Sequence, residues 1–217
     1  MNRSKRAMDV CGALLGFIVL APLFALVGVA IAIAGRGGPV FFAQERVGRG
    51  GVSFRMWKFR TMVVDAEREG AQLTVGADPR ITGVGRWLRH FKLDELPQLL
   101  NVLRGEMSLV GPRPEVPRYV ALYTAKQRAV LELVPGITDP ASIRYSDEST
   151  ELACSDDPER LYVDEIMPEK IRLNLEYAER ATPWSDAMVV LSTLGLLAIR
   201  GPRTGAADVT AGPVLRT

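Results

Sequence analysis

The stretch VCGALLGFIVLAPLFALVGVAIAIA, from Val10 to Ala34, contains no charged side chain and has Pro22 near its centre. Basic residues flank it on both sides: Arg3, Lys5 and Arg6 precede it, and Arg36, Arg46 and Arg49 follow it. An uncharged apolar stretch longer than about 18 residues is a candidate membrane segment. A segment that crosses a bilayer usually carries its excess of Lys and Arg on one side. The flanks therefore favour a segment that enters the membrane, bends near Pro22 and returns.

Two other interpretations of this stretch remain open from its residues. A single-pass helix accommodates one proline, because neighbouring groups or water can satisfy the carbonyl that the proline leaves without a donor. A signal peptide also has a basic start, an apolar run and small residues such as Ala30 and Ala32. The apolar region of a signal peptide, however, is typically only about 7–15 residues long.

Charge is distributed unevenly along the 217 residues, although the net charge is only +2. Residues 1–60 contain nine Lys and Arg residues but only two Asp and Glu residues. Residues 139–169 contain two Lys and Arg residues and ten Asp and Glu residues. A basic segment beside a membrane helix suits anionic lipid headgroups or a phosphorylated substrate. No nucleic-acid-binding motif accompanies it, so we expect no nucleic acid as a partner.

The few cysteines and histidines restrict the chemistry of a metal site. Cys11 lies in the apolar stretch and Cys154 in the acidic one, so we expect no disulfide and a reducing, cytosolic environment. His90 is the single histidine of the sequence. Any divalent metal would therefore be held by oxygen, and Mg²⁺ is the first candidate.

Hydrophobic periodicity and turn residues predict an α+β, mainly helical fold with a small β-hairpin and surrounding amphipathic or interfacial helices. Strands are predicted at 40–44 and 52–57, joined by a turn at 48–51. Helices are predicted at 61–73, 84–90, 94–103, 118–133, 161–180 and 184–199. The acidic stretch 139–159 is predicted to be mostly loop, and the tail 201–217, rich in Gly, Ala, Thr and Pro, to be disordered.

The segment 92–114 carries the groups most suited to chemistry, beginning with the adjacent carboxylates Asp94 and Glu95. Such a pair is often only a helix start, with an Asp N-cap and a Glu that favours the helix dipole. Here Arg89 precedes the pair and Arg113 follows it between two prolines. Arginine binds phosphate oxygens in a bidentate manner, and a carboxylate can act as a nucleophile once cations offset phosphate charge. The surroundings favour phosphoryl transfer over a structural pair.

Several motifs together make the chain resemble a known family. They are KFRTM at 58–62, LDELPQ at 93–98 with NVL at 101–103, MSLVGPRP at 107–114 and VPGIT at 134–138. These motifs resemble those of the monotopic phosphoglycosyl transferases of bacteria, often called bacterial sugar transferases, over about residues 5–199. Members of that family transfer a sugar phosphate from a UDP-sugar to a polyprenyl phosphate and release UMP, as the first membrane step of glycoconjugate biosynthesis.

The resemblance implies roles for individual residues. Asp94 would be the nucleophile that becomes a covalent aspartyl phosphosugar, and Glu95 would help to hold Mg²⁺. Four cations would contact phosphates or the nucleotide: Arg89 and Arg113, with Lys58 and Arg60 as further candidates. The polyprenyl phosphate would then attack the intermediate in a second step.

The resemblance also implies how the chain is organised. It gives a re-entrant membrane helix at 1–36, a catalytic domain at 37–200 and a monotopic position on the cytoplasmic face of the bacterial inner membrane, in contact with lipid. The family's helix breaks at Ser-Pro, whereas this chain has Ala21-Pro22. Asp139 follows Thr138 where many members have glycine, and Asn174 stands where an Asp is usual. The sugar, the glycan and the oligomeric state, a homodimer included, stay open.

Two further functions compete with this one. A non-catalytic, membrane-anchored scaffold would use the basic face to hold anionic lipid. An ordinary glycosyltransferase would release UDP instead of UMP, and the pair Asp156-Asp157 resembles the metal-binding carboxylates of such enzymes. Adjacent acids before a proline more often form a solvated turn, so we expect no metal there.

Overall fold

The computed structural model describes residues 3–34, 37–64, 66 and 73–199. Its α-helices are α1 (Arg3–Ala34), α2 (Gly83–His90), α3 (Leu99–Arg104), α4 (Pro117–Val120), α5 (Pro140–Arg144), α6 (Glu148–Ala153), α7 (Pro158–Leu161), α8 (Met167–Arg180) and α9 (Pro183–Ile199). The strands are β1 (Phe41–Val47), β2 (Ser53–Phe59), β3 (Ser108–Val110) and β4 (Gly136–Thr138). Short 3₁₀ segments occupy Arg49–Gly51, Leu93–Gln98 and Gln127–Glu132, and a π segment occupies Tyr162–Ile166.

The predicted α+β, mainly helical fold is confirmed. β1 and β2 form the expected antiparallel hairpin, in which Phe41 lies opposite Phe59 and Val47 opposite Ser53. β3 and β4 form a second, parallel pair. The tail predicted at 201–217 lies outside the described residues.

The amino-terminal end of α1 is fixed to β3 by polar contacts. The Lys5 Nζ donates to the Val110 carbonyl at 3.0 Å. The fully buried carboxylate of Asp9 accepts hydrogen bonds from the Ser108 hydroxyl and the Leu109 amide, both at 3.0 Å. Both bonds end on Oδ1, and Oδ2 has no partner among the described residues, so these donors compensate only in part for the lost hydration. This end of the helix therefore has one defined position on the domain.

The other end of α1 packs against the same domain through apolar side chains. Val27 and Ile31 are buried in one cluster with Phe59 of β2 and Leu88 of α2. Polar contacts before Pro22 and apolar contacts after it thus tie both halves of the helix to one body. Within the described chain, α1 is the one helix long and apolar enough to cross a membrane, and most of its apolar surface faces outward.

The acidic stretch 139–159 is helical, which corrects the prediction of a loop. It forms α5, α6 and α7. Asp139 caps α5 by accepting from the Ser142 amide at 2.9 Å, and Asp157 caps α7 by accepting from the Arg160 amide at 3.0 Å. The acids are therefore helix starts, since an N-cap Asp satisfies an amide that has no partner inside the helix.

Two predicted helices are also wrong in whole or in part. The helix predicted at 118–133 is interrupted after Val120, because Thr124 and Gln127 exchange hydrogen bonds that start a new 3₁₀ segment. In the helix predicted at 61–73, Met62 instead forms a bridge to Ile81, and Val64 and Ala66 lie in a turn. The remainder of that prediction falls largely outside the described residues.

The last helix, α9, is confirmed and is apolar around its circumference. Exposed large side chains are Trp184, Met188, Leu191 and Leu194. The helix is docked by a hydrogen bond of 2.7 Å between the hydroxyls of Thr193 and Thr138 in β4. Its exposed apolar surface is of the kind that lies at a membrane interface.

Candidate active site

The two adjacent carboxylates lie on the 3₁₀ segment that follows α2. Lys92 begins this segment in the left-handed conformation, with φ of 55°, and its side chain caps nothing. The chain turns sharply there, so Asp94 and Glu95 fall in the first turn of the segment rather than at its N-cap. The alternative in which Asp94 is a helix cap is therefore wrong, and its carboxylate is not used by the local backbone.

Asp94 is buried but not satisfied. Only 6% of the residue is exposed, and its Oδ1 has no hydrogen-bond partner among the described residues. Burial raises the pKa of this carboxyl, and the neighbouring Glu95 raises it further, while Lys58 and Arg89 act in the opposite direction. A buried, unpaired carboxylate oxygen costs stability and is seldom retained without a functional reason.

Glu95 is instead held by Arg113. The guanidinium donates from Nη1 to Oε2 at 2.9 Å and from Nη2 to Oε1 at 2.5 Å. Burial alone would raise the pKa of the Glu95 carboxyl, but Arg113, followed by Lys58, keeps it well below its usual range. The two adjacent carboxyls thus have opposite shifts, which is typical of paired acids with different roles.

Arg113 is positioned by the parallel strand pair. The backbones on either side of it approach so closely that a Cβ on Gly136 would lie 2.1 Å from the Gly111 nitrogen. The Gly136 amide donates to the Pro112 carbonyl at 3.0 Å, and the Gly111 amide donates to Thr138 at 3.0 Å. Only glycine permits this contact, which delivers Arg113 to a residue 18 positions earlier in the chain.

The hairpin supplies two further cations from one face. Lys58 of β2 pairs with Phe42 of β1, and Arg46 of β1 pairs with Phe54 of β2. Lys58 and Arg46 therefore lie on the same face of the hairpin. Burial, together with the neighbouring Arg113, lowers the pKa of Lys58 to about 7. Arg46 donates to the Pro114 carbonyl at 2.9 Å and to Gln44. The sequence-based prediction missed Arg46. Side chains alternate between the two faces of a strand, and this alternation puts Arg46 and Lys58 on the same face of the hairpin.

Arg89 reaches the site from the last turn of α2. Its Nε donates to the Thr61 hydroxyl at 2.9 Å and its Nη1 to the Thr74 hydroxyl at 3.2 Å. These bonds orient the guanidinium toward Asp94. Among the charged neighbours that raise the pKa of Arg89, Asp94 has the largest effect. Burial acts against them and lowers the pKa of Arg89 overall.

A cavity of about 1070 Å³ opens above these groups. Its walls include seven Lys and Arg side chains, Lys58, Arg60 and Arg89 among them, against two carboxylates, Glu45 and Asp94. Such an excess of positive charge suits an anion that carries more than one negative charge. Its volume is at the upper end of the range usual for sites that bind small molecules and cofactors.

The family model of the bacterial sugar transferases matches residues 1–200. The chain belongs to this family. It is 41% identical over 197 residues to an undecaprenyl-phosphate glucose phosphotransferase of Komagataeibacter xylinus, covering 88% of this chain and 35% of that protein. It is 37% identical over 201 residues to a UDP-glucose:undecaprenyl-phosphate glucose-1-phosphate transferase of Caulobacter vibrioides, covering 88% and 68%.

A third relative of the chain is named for a different sugar. It is a UDP-N-acetylgalactosamine-undecaprenyl-phosphate N-acetylgalactosaminephosphotransferase of Aeromonas hydrophila, 34% identical over 195 residues and covering 88% of this chain and 42% of the relative. The chain spans about a third of the Komagataeibacter protein it matches. Membership of the family therefore does not by itself assign a sugar.

The predicted site residues fall into two groups, one lining the cavity and one beside it. Lys58, Arg60, Arg89 and Asp94 line it. Glu95 and Arg113 pair with each other beside it. Asp157 caps α7 on another part of the chain, so it starts a helix rather than forming the solvated turn expected for Asp156-Asp157.

Protein groups alone do not form a metal site in the described part of the chain. It contains no cluster of three or more His, Cys, Asp or Glu side chains that could hold an ion. Mg²⁺ usually binds through one or two carboxylates together with water and substrate phosphates. The unpaired Oδ1 of Asp94 and the adjacent Glu95 carboxylate fit that mode of binding.

Proposed function

We propose that this protein moves a sugar 1-phosphate from a UDP-sugar to undecaprenyl phosphate and releases UMP, through a covalent phosphosugar on Asp94. The observation that carries the proposal is the unpaired Oδ1 of Asp94, buried in a cavity whose other charged groups are nearly all cations. The names of the relatives support undecaprenyl phosphate as acceptor. The names of two of them support a UDP-sugar as donor.

In the first step, a carboxylate oxygen of Asp94 attacks the phosphorus that bears the sugar. A bond forms between this oxygen and phosphorus, and the bond from phosphorus to the bridging oxygen breaks. UMP leaves with the electron pair of that bond. Lys58 and Arg89 lie where they can offset the charge of the diphosphate, which otherwise repels an anionic nucleophile.

In the second step, a phosphate oxygen of the polyprenyl phosphate attacks the same phosphorus. The bond between phosphorus and the Asp94 oxygen breaks, and the carboxylate is regenerated. The product is a polyprenyl diphosphate sugar. Two displacements at one phosphorus on one nucleophile give a ping-pong mechanism, in which UMP leaves before the acceptor reacts.

Glu95 would help to hold Mg²⁺, and the ion would supply positive charge that offsets the negative charge of the donor's diphosphate. Both oxygens of Glu95 accept one hydrogen bond from Arg113, and each keeps a further lone pair that could face the ion. We propose that Arg113 keeps Glu95 charged for this purpose, since its forked guanidinium binds both oxygens at once.

We further propose that α1 is re-entrant and that residues 37–200 form a catalytic domain on the cytoplasmic face of the inner membrane. Contacts of Asp9 and Lys5 with β3, and of Val27 and Ile31 with the domain, support this position. A helix that crossed the bilayer would carry one of these ends away from the domain. The exposed apolar faces of α1 and α9 then contact lipid.

Labelling tests this topology. In a background with Cys11→Ser and Cys154→Ser, single cysteines are introduced at Ser4 and at Ala125 in the domain. Both are expected to be shielded from a membrane-impermeant maleimide in intact spheroplasts and to react after lysis. Reaction of Ser4→Cys alone in intact spheroplasts would show a spanning helix.

The reaction is tested by mixing the purified protein in detergent with undecaprenyl phosphate and a panel containing UDP-glucose, UDP-galactose and UDP-N-acetylgalactosamine. Release of UMP with at least one donor is expected, and a chelator of Mg²⁺ is expected to stop it. Release of UDP would instead indicate an ordinary glycosyltransferase. No nucleotide release with any donor, together with binding to anionic vesicles, would favour the scaffold.

A further inference from the structure

Arg60 lines the cavity but is not among the cations with the largest effects on the two carboxylates. The residue follows β2, its amide donates to the Val40 carbonyl at 2.9 Å, and only 8% of it is exposed. The cations that shift Asp94 most are Lys58, Arg89 and Lys92, and those acting on Glu95 are Arg113, Lys58 and Lys92. Arg60 is in neither group, although it lines the same cavity as Asp94.

The guanidinium of Arg60 lies against the backbone of Gly38. A Cβ on Gly38, four residues after α1 ends, would lie 1.4 Å from Nη1 of Arg60 and 2.7 Å from Cγ2 of Val64. The glycine backbone, the cation and the valine therefore meet at one point. Any side chain at position 38 would displace the guanidinium.

The cavity wall next to this point is apolar. Pro39, Val63 and Val64, which we call the apolar rim, line the cavity and are all exposed. Ile33 in the last turn of α1 is 81% exposed. A cation beside an exposed apolar rim, at the end of an apolar helix, matches a ligand that joins a phosphate to a hydrocarbon chain.

We propose that Arg60 and the apolar rim form the subsite for the acceptor, with the guanidinium on the phosphate and the rim against the first isoprene units. This inference rests on the proposed function. Once UMP has left, Lys58 and Arg89 still face the phosphosugar on Asp94. A second phosphate can approach that group only if a separate cation offsets its charge, and Arg60 is placed to do so.

Measuring the two half-reactions separately distinguishes binding of the acceptor by Arg60 from an effect on the whole reaction. Without acceptor, the donor that wild type uses gives a burst of UMP and a covalent adduct. Arg60→Met is expected to leave the size and rate of this burst within about twofold. It is expected to lower kcat/KM for undecaprenyl phosphate about 10- to 100-fold, the usual effect of losing a charge-assisted hydrogen bond. Arg60→Lys, which keeps the charge, is expected to lose less.

Three further variants sharpen the test. Gly38→Ala, which moves the guanidinium without removing it, is expected to reproduce the acceptor defect. The double variant with Val63→Ser and Val64→Ser is expected to slow the reaction with undecaprenyl phosphate about tenfold, but not the reaction with methyl phosphate. Arg60→Met is expected to slow both reactions. Arg128→Met, which removes an exposed cation elsewhere, is the matched control and is expected to behave as wild type.

The outcomes are distinct. Equal loss of the burst and of the second half-reaction in Arg60→Lys would place Arg60 in the donor site and overturn the proposal. An acceptor kcat/KM unchanged in Arg60→Met would overturn it as well. If wild type gives no burst with any donor, the proposed function itself fails, and that result is seen before any variant is compared.

Discussion

Arg113 binds Glu95 through two parallel hydrogen bonds, beside an Asp94 oxygen that has no hydrogen-bond partner among the residues that the structure describes. The arginine therefore holds the Glu95 carboxylate in its charged form and makes no hydrogen bond to Asp94. Arg113→Lys keeps a cation but cannot make both bonds. We expect kcat/KM for the donor to fall about 10- to 100-fold, measured as UMP release. Unchanged activity would show that the bidentate geometry is not used.

Removing the cation altogether should affect folding. Arg113→Met leaves a buried carboxylate uncompensated, which costs about 3–5 kcal/mol in comparable pairs. Denaturant unfolding in detergent measures the loss. Because Arg113 depresses the pKa of Glu95, the stabilisation is present above the unfolded pKa of 4.5 and is lost as the pH falls below it. Arg118→Met, which breaks an exposed pair with Glu159, is the control and should cost at most about 1 kcal/mol.

Asp94→Asn should abolish UMP release, since an amide keeps the shape of the carboxylate but is not a nucleophile toward phosphorus. Intact-protein mass spectrometry without acceptor should show the mass of a sugar phosphate on wild type and none on the variant. Asp156→Asn, an exposed acid outside the cavity, should retain full activity. Appreciable turnover by Asp94→Asn would remove Asp94 from the role of nucleophile.

The parts of the site that could be predicted are those in which neighbouring residues in the sequence act together. Asp94 and Glu95 are adjacent, and Lys58 and Arg60 lie within one five-residue motif, KFRTM at 58–62. Arg46 was missed because the strand was predicted to end at residue 44, whereas β1 continues to Val47. The strand is longer because its end is tied to another segment, with Val47 bridged to Glu115.

The parts that could not be predicted depend on contacts between distant segments. The pairing of Glu95 with Arg113 requires the close approach of Gly111 and Gly136, which no local pattern indicates. Similarly, Asp139 starts a helix because Pro140 occupies its first turn, where a missing amide has no cost. Prolines and acidic residues are also frequent in loops, so the composition of 139–159 alone favoured the wrong prediction of a loop.

The pH dependence of donor turnover should report Lys58. Burial lowers the pKa of Lys58 to about 7, so in the free protein the cation is lost as the pH rises through 7. We expect kcat/KM, which reflects groups of the free enzyme, to fall above about pH 7. On the acidic side of the profile, kcat/KM should rise with increasing pH as Asp94, whose pKa is raised, loses its proton. Lys58→Arg should remove the alkaline fall, and its persistence in that variant would assign it to another group.

The contact between Asp9 and β3 should set the stability of the helix on its domain. Asp9→Ala removes the acceptor for Ser108 and Leu109 and leaves the Leu109 amide without this partner, with an expected loss of about 2–4 kcal/mol. Asp9→Asn keeps Oδ1 as an acceptor for both and should lose much less. Thermal unfolding in detergent separates the two, with Arg3→Ala, an exposed cation one turn and a half away, as control. Equal stability of Asp9→Ala and wild type would mean that the buried carboxylate does not hold α1 in place, and the apolar contacts of Val27 and Ile31 would then carry that role alone.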